Sequence, residues 1–150
     1  MLEAYRAHLE RVFGYLLYRT LGDRMLAEEL TQEVFVAYAT AVSRGRAIRD
    51  TQGWLISVAR NKLVDRIRRD ARPPRSLHSR VETDDTTIVD GALAAIELLR
   101  GLPTMQRTAI VLRYVDDLPV AEVANLLGKS LRATESLLAR GRANLARRLA

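Results

Sequence analysis

The chain has 150 residues, 48% of them hydrophobic, 28% charged and 5% aromatic, with 24 basic and 18 acidic side chains for a net charge of +6. That balance belongs to a folded chain of one larger domain or two small ones, and it excludes a disordered one. The lack of cysteine excludes disulfides and cysteine-ligated zinc, and no apolar run approaches the roughly 18 residues of a membrane span. The opening stretch MLEAYRAHLERVFGYLL is too charged and too periodic for a signal peptide, so a reducing cytoplasm is the expected location.

Ala, Leu, Arg and Glu dominate, four Pro and eight Gly leave long periodic segments, and no strand-like alternation is present. A first helix is predicted over about 2–20, stopping near Leu21-Gly22-Asp23. A second follows over about 24–42, with Leu26, Leu30, Val34, Ala37 and Ala41 as its core stripe. After the loop GRAIRDTQG, Asp50 or Thr51 is available to cap a third helix, which ends before Pro73-Pro74. On it Leu55, Ala59, Leu63 and Ile67 share one side. Asn61, Asp65 and Arg68 lie roughly opposite, with Trp54 near them. The stretch RSLHSRVETDDTTIVD is polar, acidic in the middle and poor in apolar periodicity, which predicts a flexible linker. Helix resumes from about 90 to Arg100, then from about 104 to 115. Pro119 suits the first position of a short helix to Leu127, Gly128 a C-terminal cap, and Leu131 the start of a last helix. The expected fold is all-α, two small helical domains joined by a tether.

Charge is concentrated in two places. Residues 55–75 hold seven basic and two acidic side chains, and residues 129–148 hold six and one, so the remainder is net acidic. Two basic surfaces on such a body point to a polyanion gripped twice; the plain alternative is helix-dipole complementation and solubility. The second surface falls on VAEVANLLGKSLRATESLLARGRANLARRL, a short helix, a tight turn and a longer helix, the layout of a helix-turn-helix. Leu131, Thr134, Leu138, Leu145 and Leu149 form the stripe of its second helix. Arg132, Ser136, Arg140 and Arg147 lie opposite, flanked by Glu135 and Ala139. Such a face fits a major groove, because arginine reads guanine or holds phosphate and glutamate accepts from cytosine. On the predicted second helix, Glu28, Glu29, Gln32, Phe35, Val36 and Ala39 form an outer side that suits a protein partner; packing of Phe35 on a neighbouring helix fits the same periodicity.

Catalytic readings find little support. His8 and His78 lie far apart without carboxylates at ligand spacing, and Glu28, Glu29 and Glu33 lack a Glu-x-x-His partner. Asp116-Asp117 reads as a turn, and there is neither a phosphate-cradling Gly loop nor a nucleophile elbow. No enzyme, metal site or cofactor is expected.

Three segments, in order, resemble a known family, the extracytoplasmic-function sigma factors of bacterial RNA polymerase. AEELTQEVFVAY resembles its core-binding segment, GWLISVARNKLVDRIRR its promoter-melting helix, and LPTMQRTAIVLRYVDDLPVAEVANLLGKSLRATESLLARGRANL its region four. The resemblance implies region two over 1–71, a linker over 72–89 threading near the polymerase active centre, and region four over 90–150. It implies that Glu29, Gln32, Glu33 and Phe35 bind the coiled coil of the largest polymerase subunit, with the flap as a second polymerase contact. Asn61 matches a position associated with an extruded minus-ten base. Arg60, Lys62, Arg66, Arg68 and Arg69 supply charge nearby, and Trp54 either stacks on a base or packs against the loop. Arg132, Glu135, Ser136, Ala139 and Arg140 are the implied minus-thirty-five contacts, with Arg147 on the same face.

Partners implied are core RNA polymerase, promoter DNA and an anti-sigma factor. Glu135 stands where Lys or Arg is commoner in the family and Ala139 where a larger side chain is, so no particular promoter sequence carries over. The chain begins almost at its first helix and ends at Ala150, so a few N-terminal residues usual in the family and any appended sensory domain are expected to be absent. Two alternatives remain at this point: a regulator acting through its helix-turn-helix without polymerase, and an adaptor that binds polymerase but does not open DNA.

Overall fold

Helix boundaries in the computed structural model follow the local capping chemistry. The structure describes residues 2–70 and 90–149, of 90–93 the backbone only. The linker segment, His78 and the boundaries expected there lie outside those residues. Residues 2–66 form one compact unit and 90–149 a second. Every described element is helical, the all-α class expected.

In the first unit α1 spans Leu2–Arg19 and α2 Arg24–Ser43, followed by α3 (Thr51–Asp70), whose residues 67–70 fall outside that unit. The α1–α2 corner is a left-handed pair, Leu21 at φ 59° and Gly22 at φ 83°. Gly22 N–H returns to the Leu17 carbonyl at 2.7 Å, closing the helix end. A leucine in that region costs about 1–2 kcal/mol, and burial of the Leu21 side chain offsets it. Asp23 then caps α2, its Oδ1 accepting from Leu26 N–H at 3.1 Å, and Asp50 caps α3 by accepting from Gly53 N–H at 3.0 Å. The core holds Val12, Leu16, Ala27, Leu30, Val34, Leu55 and Ala59, all fully buried.

The buried stripe of α2 is Ala27, Leu30, Thr31, Val34 and Phe35. It is rolled away from the expected one, since Leu26, Ala37 and Ala41 are only half-buried. Thr31 fits inside because its hydroxyl donates to the Ala27 carbonyl at 2.6 Å.

The second unit comprises α4 (Asp90–Arg100), α5 (Thr104–Ile110), α6 (Val120–Leu127) and α7 (Leu131–Leu149). The helix predicted over 104–115 exists, but its last turn, Val111–Val115, widens to a π-helix. Asp116 N–H reaches back five residues to the Val111 carbonyl at 3.0 Å, and Asp117 reverses the chain at φ 55°. Pro119 is the N-cap of α6, one residue before its expected place: its ψ of 149° is extended, while its carbonyl accepts from Glu122 and Val123. Gly128, at φ 66°, closes α6 as expected. Ser130 caps α7, its Oγ accepting from Ala133 N–H at 3.1 Å.

α7 buries Thr134, Leu137, Leu138 and Gly141, and it packs on α5 and α6. Leu131 and Leu149 of the expected stripe are instead 51% and 66% exposed. A Cβ on Gly141 would sit 2.9 Å from Ile110 Cγ1, so the close approach of the two helices needs a residue without one.

Gly141→Leu is therefore expected to destabilise the second unit by about 2 kcal/mol or more through overpacking. Gly14 lies in mid-α1, where an added Cβ would meet nothing within 4 Å, and it behaves oppositely: Gly14→Ala is expected to stabilise the first unit by about 0.5–1 kcal/mol. Urea unfolding followed by circular dichroism reads both signs.

Candidate nucleic-acid interface

Burial of Leu55, Ala59, Leu63 and Val64 leaves one strip of α3 open. Ser57, Asn61, Asp65, Arg68 and Arg69 are exposed along it. The Asn61 amide makes no hydrogen bond among the described residues, so both its donor and its acceptor remain available to a ligand. The other basic residues of the helix do not share that strip. Arg60 turns towards α1, its Nε donating to the Tyr15 hydroxyl at 3.3 Å. Arg66 turns towards α2 and forms a fork on Glu29, at 3.2 Å to Oε1 and 3.3 Å to Oε2. Lys62 is half-buried between the two classes. Trp54 is also half-buried, edge-on to Tyr38 with centroids 5.7 Å apart. The Arg46 guanidinium lies 5.9 Å from its ring centre, so packing accounts for much of the indole.

On α2 the structure places Phe35 against a neighbouring helix. Its side chain is only 5% exposed and meets Tyr5 of α1 edge-to-face, centroids 5.0 Å apart. The α1 helix arrives on that side and takes Phe35 out of the outer face. What remains exposed is Met25 (81%), Glu28, Glu29, Gln32 and Val36 (66%), with Glu33 half-buried at the edge. Met25 was not singled out in the sequence, although it lies one helical turn before Glu28 and Glu29 and on their side. Glu29 was assigned to this face and Arg66 to the α3 face; their ion pair makes the two faces neighbours.

On α7 the outer face forms as expected. Arg132, Glu135, Ser136, Ala139, Arg140 and Arg147 are all exposed, and Ala143 completes the row. Three groups set its edges. Arg142 Nη1 donates to the Tyr114 hydroxyl at 2.9 Å. Asn144 Nδ2 donates to Gln106 Oε1 at 2.6 Å, and Arg147 is paired with the Asn144 side-chain oxygen. Two small side chains, Ala139 and Ala143, leave the centre of this face flat, so long polar groups surround a shallow apolar patch. Behind it, burial and the neighbouring Arg100 lower the pKa of Arg107 from the usual arginine value; its Nη1 donates to the Leu102 carbonyl at 3.4 Å.

Among the described residues no group of three or more His, Asp or Glu is placed to hold a metal ion. His8 sits half-buried with an unpartnered Nδ1. No described helix is long and apolar enough to cross a membrane.

Comparison with known proteins converges on one family. Residues 4–73 match the family described as Sigma-70 region 2, and residues 92–145 match Sigma-70, region 4. The ECF RNA polymerase sigma factor SigW of Bacillus subtilis is 30% identical over an alignment covering 89% of this chain and 81% of that protein. The ECF sigma factor BldN of Streptomyces coelicolor is 31% identical, across 97% of this chain and 58% of its own length. The sigma factor RpoE of Bartonella quintana, solved in complex with the anti-sigma factor NepR, superposes with a TM-score of 0.58. That alignment covers 98% of this chain and 94% of the other at 17% identity, a likeness of fold.

The burial of Phe35 makes a clear prediction. Phe35→Ala is expected to lower unfolding free energy by about 3 kcal/mol or more, while Val36→Ala next to it changes it by less than about 0.5 kcal/mol. Paired urea titrations of the two variants check this.

Proposed function

The chain belongs to the extracytoplasmic-function sigma factors, and from that membership we propose how its surfaces divide promoter recognition. It is a polymerase-associated initiation factor whose relatives are not enzymes. A regulator working through its helix-turn-helix alone is not favoured. The observation that carries this is the presence of regions two and four in one chain, since such a regulator has no use for the first.

The proposed polymerase-binding face is that of α2, with Glu29, Gln32 and Glu33 and the exposed Met25 and Val36. Two apolar side chains among carboxylates suit a partner helix with basic flanks. α3 is the proposed platform for the minus-ten element. Asn61 hydrogen-bonds the Watson–Crick edge of an extruded base, Arg68 and Arg69 follow the backbone, and Trp54 borders the site. Arg60 and Arg66 act first through Tyr15 and Glu29, positioning the helix. α7 is the proposed major-groove reader. Arg132 and Arg140 contact guanine or phosphate, Glu135 accepts from cytosine, Ser136 adds a weaker contact, and Ala139 leaves room for a thymine methyl. The site of action is the cytoplasm, with polymerase, and an anti-sigma factor, as NepR is to RpoE in the solved complex, is the proposed inhibitory partner.

Transcription in vitro with purified core polymerase over a fragmented bacterial genome tests the whole reading. Starts that share two upstream elements are expected. Neither starts nor core binding would return the chain to the class of plain regulators. Within that assay Asn61→Ala is expected to reduce initiation on a duplex promoter by about tenfold or more, the order of one or more lost base hydrogen bonds. It should reduce initiation on a pre-melted template less; equal loss on both would remove the melting step from its role.

A further inference from the structure

α7 carries a single carboxylate, Glu135, among five arginines. Two other acids of the second unit are spent inside it: Glu97 pairs with Arg100 at 3.3 Å and Asp117 with Arg113 at 3.8 Å. Glu135 is exposed and makes no hydrogen bond or ion pair among the described residues, although Arg132 lies one turn before it. Nor does the helix dipole account for it. Glu135 lies beyond the first turn of α7, which holds no acid, and the dipole's effect falls off within that turn. On a surface that meets phosphates, such a group opposes every sequence-independent contact the arginines make. What it can do is discriminate.

The chemistry of the major groove says how. An ionised carboxylate only accepts hydrogen bonds. Guanine presents O6 and N7 and thymine presents O4, all acceptors, so a carboxylate desolvated against them has lone pairs facing lone pairs. Adenine offers its N6 amino group but sets the N7 acceptor beside it. Cytosine offers the N4 amino group flanked by a C–H, and there alone the carboxylate gains a charge-assisted bond with no opposing lone pair. Position along the helix permits the contact. Glu135 stands in the N-terminal half of α7, the part of a recognition helix that reaches base edges. Its neighbour one turn on, Ala139, is exposed and too short to hold the helix off the groove floor.

We infer that Glu135 sets the specificity of the upstream element by exclusion: it admits cytosine at one base pair and penalises the other three bases there, while lowering affinity for DNA at large. The inference rests on the reading of α7 as the major-groove reader.

Holoenzyme is assembled from core polymerase and the full chain, wild type or carrying Glu135→Gln or Glu135→Lys. Each is bound to duplex promoters from the transcription assay above, with every position of the upstream element varied singly, and relative affinities are read from the bound fraction. Wild type is expected to prefer cytosine over each other base at one position by about tenfold or more. Glutamine keeps an oxygen that accepts from cytosine and adds an amide that donates to guanine or thymine. Glu135→Gln should therefore weaken the cytosine site about threefold, a neutral bond replacing a charge-assisted one, and tighten the guanine and thymine sites. Preference should collapse at that position and persist at the others. Glu135→Lys should turn the same position towards guanine, whose O6 and N7 accept from an ammonium group.

A gain in Glu135→Gln shared equally by all sequences would put the carboxylate against the phosphate backbone and overturn the inference. So would a loss at the cytosine site with no gain elsewhere, which marks a purely attractive contact, and so would unchanged preferences. A position that responds to Glu135→Gln but holds adenine in the wild type would overturn the choice of cytosine. Failure of the α7 reading shows separately, as wild-type holoenzyme that starts transcription yet ignores every change in the upstream element.

Discussion

The roll of α3 about its own axis governs what the first unit can present to a ligand. Leu55, Ala59, Leu63 and Val64 set that roll by burial, and at about 25 cal/mol per Å² of apolar surface this outweighs any of the polar contacts the helix makes. Once the roll is set, Asn61 and Arg68 can only face out, Arg60 can only meet α1, and Arg66 can only meet α2. The proposed platform for a flipped base needs its polar groups rigid and unspent. The buried face supplies the rigidity, and the exposed face leaves the Asn61 amide without a partner among the described residues.

The second unit solves the same problem with small residues. Gly141 lets α7 approach Ile110 of α5 closely, and Thr134 is tolerated at full burial because its hydroxyl donates to the Ser130 carbonyl at 2.9 Å. The α6–α7 turn adds a left-handed glycine and a serine cap. Together these fix the angle at which Arg132, Ser136 and Arg140 leave the domain. The π-turn at Val111–Val115 and the reversal at Asp117 bring the chain to Pro119, and so set where α6 begins.

Arginine serves two purposes that sequence alone does not separate. Some guanidinium groups are spent on the protein: Arg66 on Glu29, Arg60 and Arg19 on Tyr15, Arg142 on Tyr114. Each such surface contact contributes little to stability, about 0–1 kcal/mol. Their effect is positional, because a forked donor held at one end presents its remaining N–H groups in a fixed direction. Tyr15 shows this most clearly, since its ring meets Arg19 and its hydroxyl accepts from Arg60.

Helix ends, helix order, the all-α class and the outer faces of α3 and α7 were legible in the sequence. They depend on chemistry within a few residues: Asp23 and Asp50 cap through their own carboxylates, Gly128 alone tolerates its φ cheaply, and a polar strip repeats at the helical period. Tandem motifs carried the family. The fate of Phe35 was not legible, because it is decided by Tyr5, thirty positions away by chain and 5.0 Å away by ring centre. Nor were the Tyr15–Arg60 and Glu29–Arg66 pairings, which join residues 45 and 37 apart. Periodicity tells which side of a helix is apolar, but a buried stripe is about 100° wide, and residues at its edges are assigned only when a neighbouring helix arrives. The sequence by itself determined the elements and the polar faces; the packing of helices on one another decided which edge residues are core and which arginines are held.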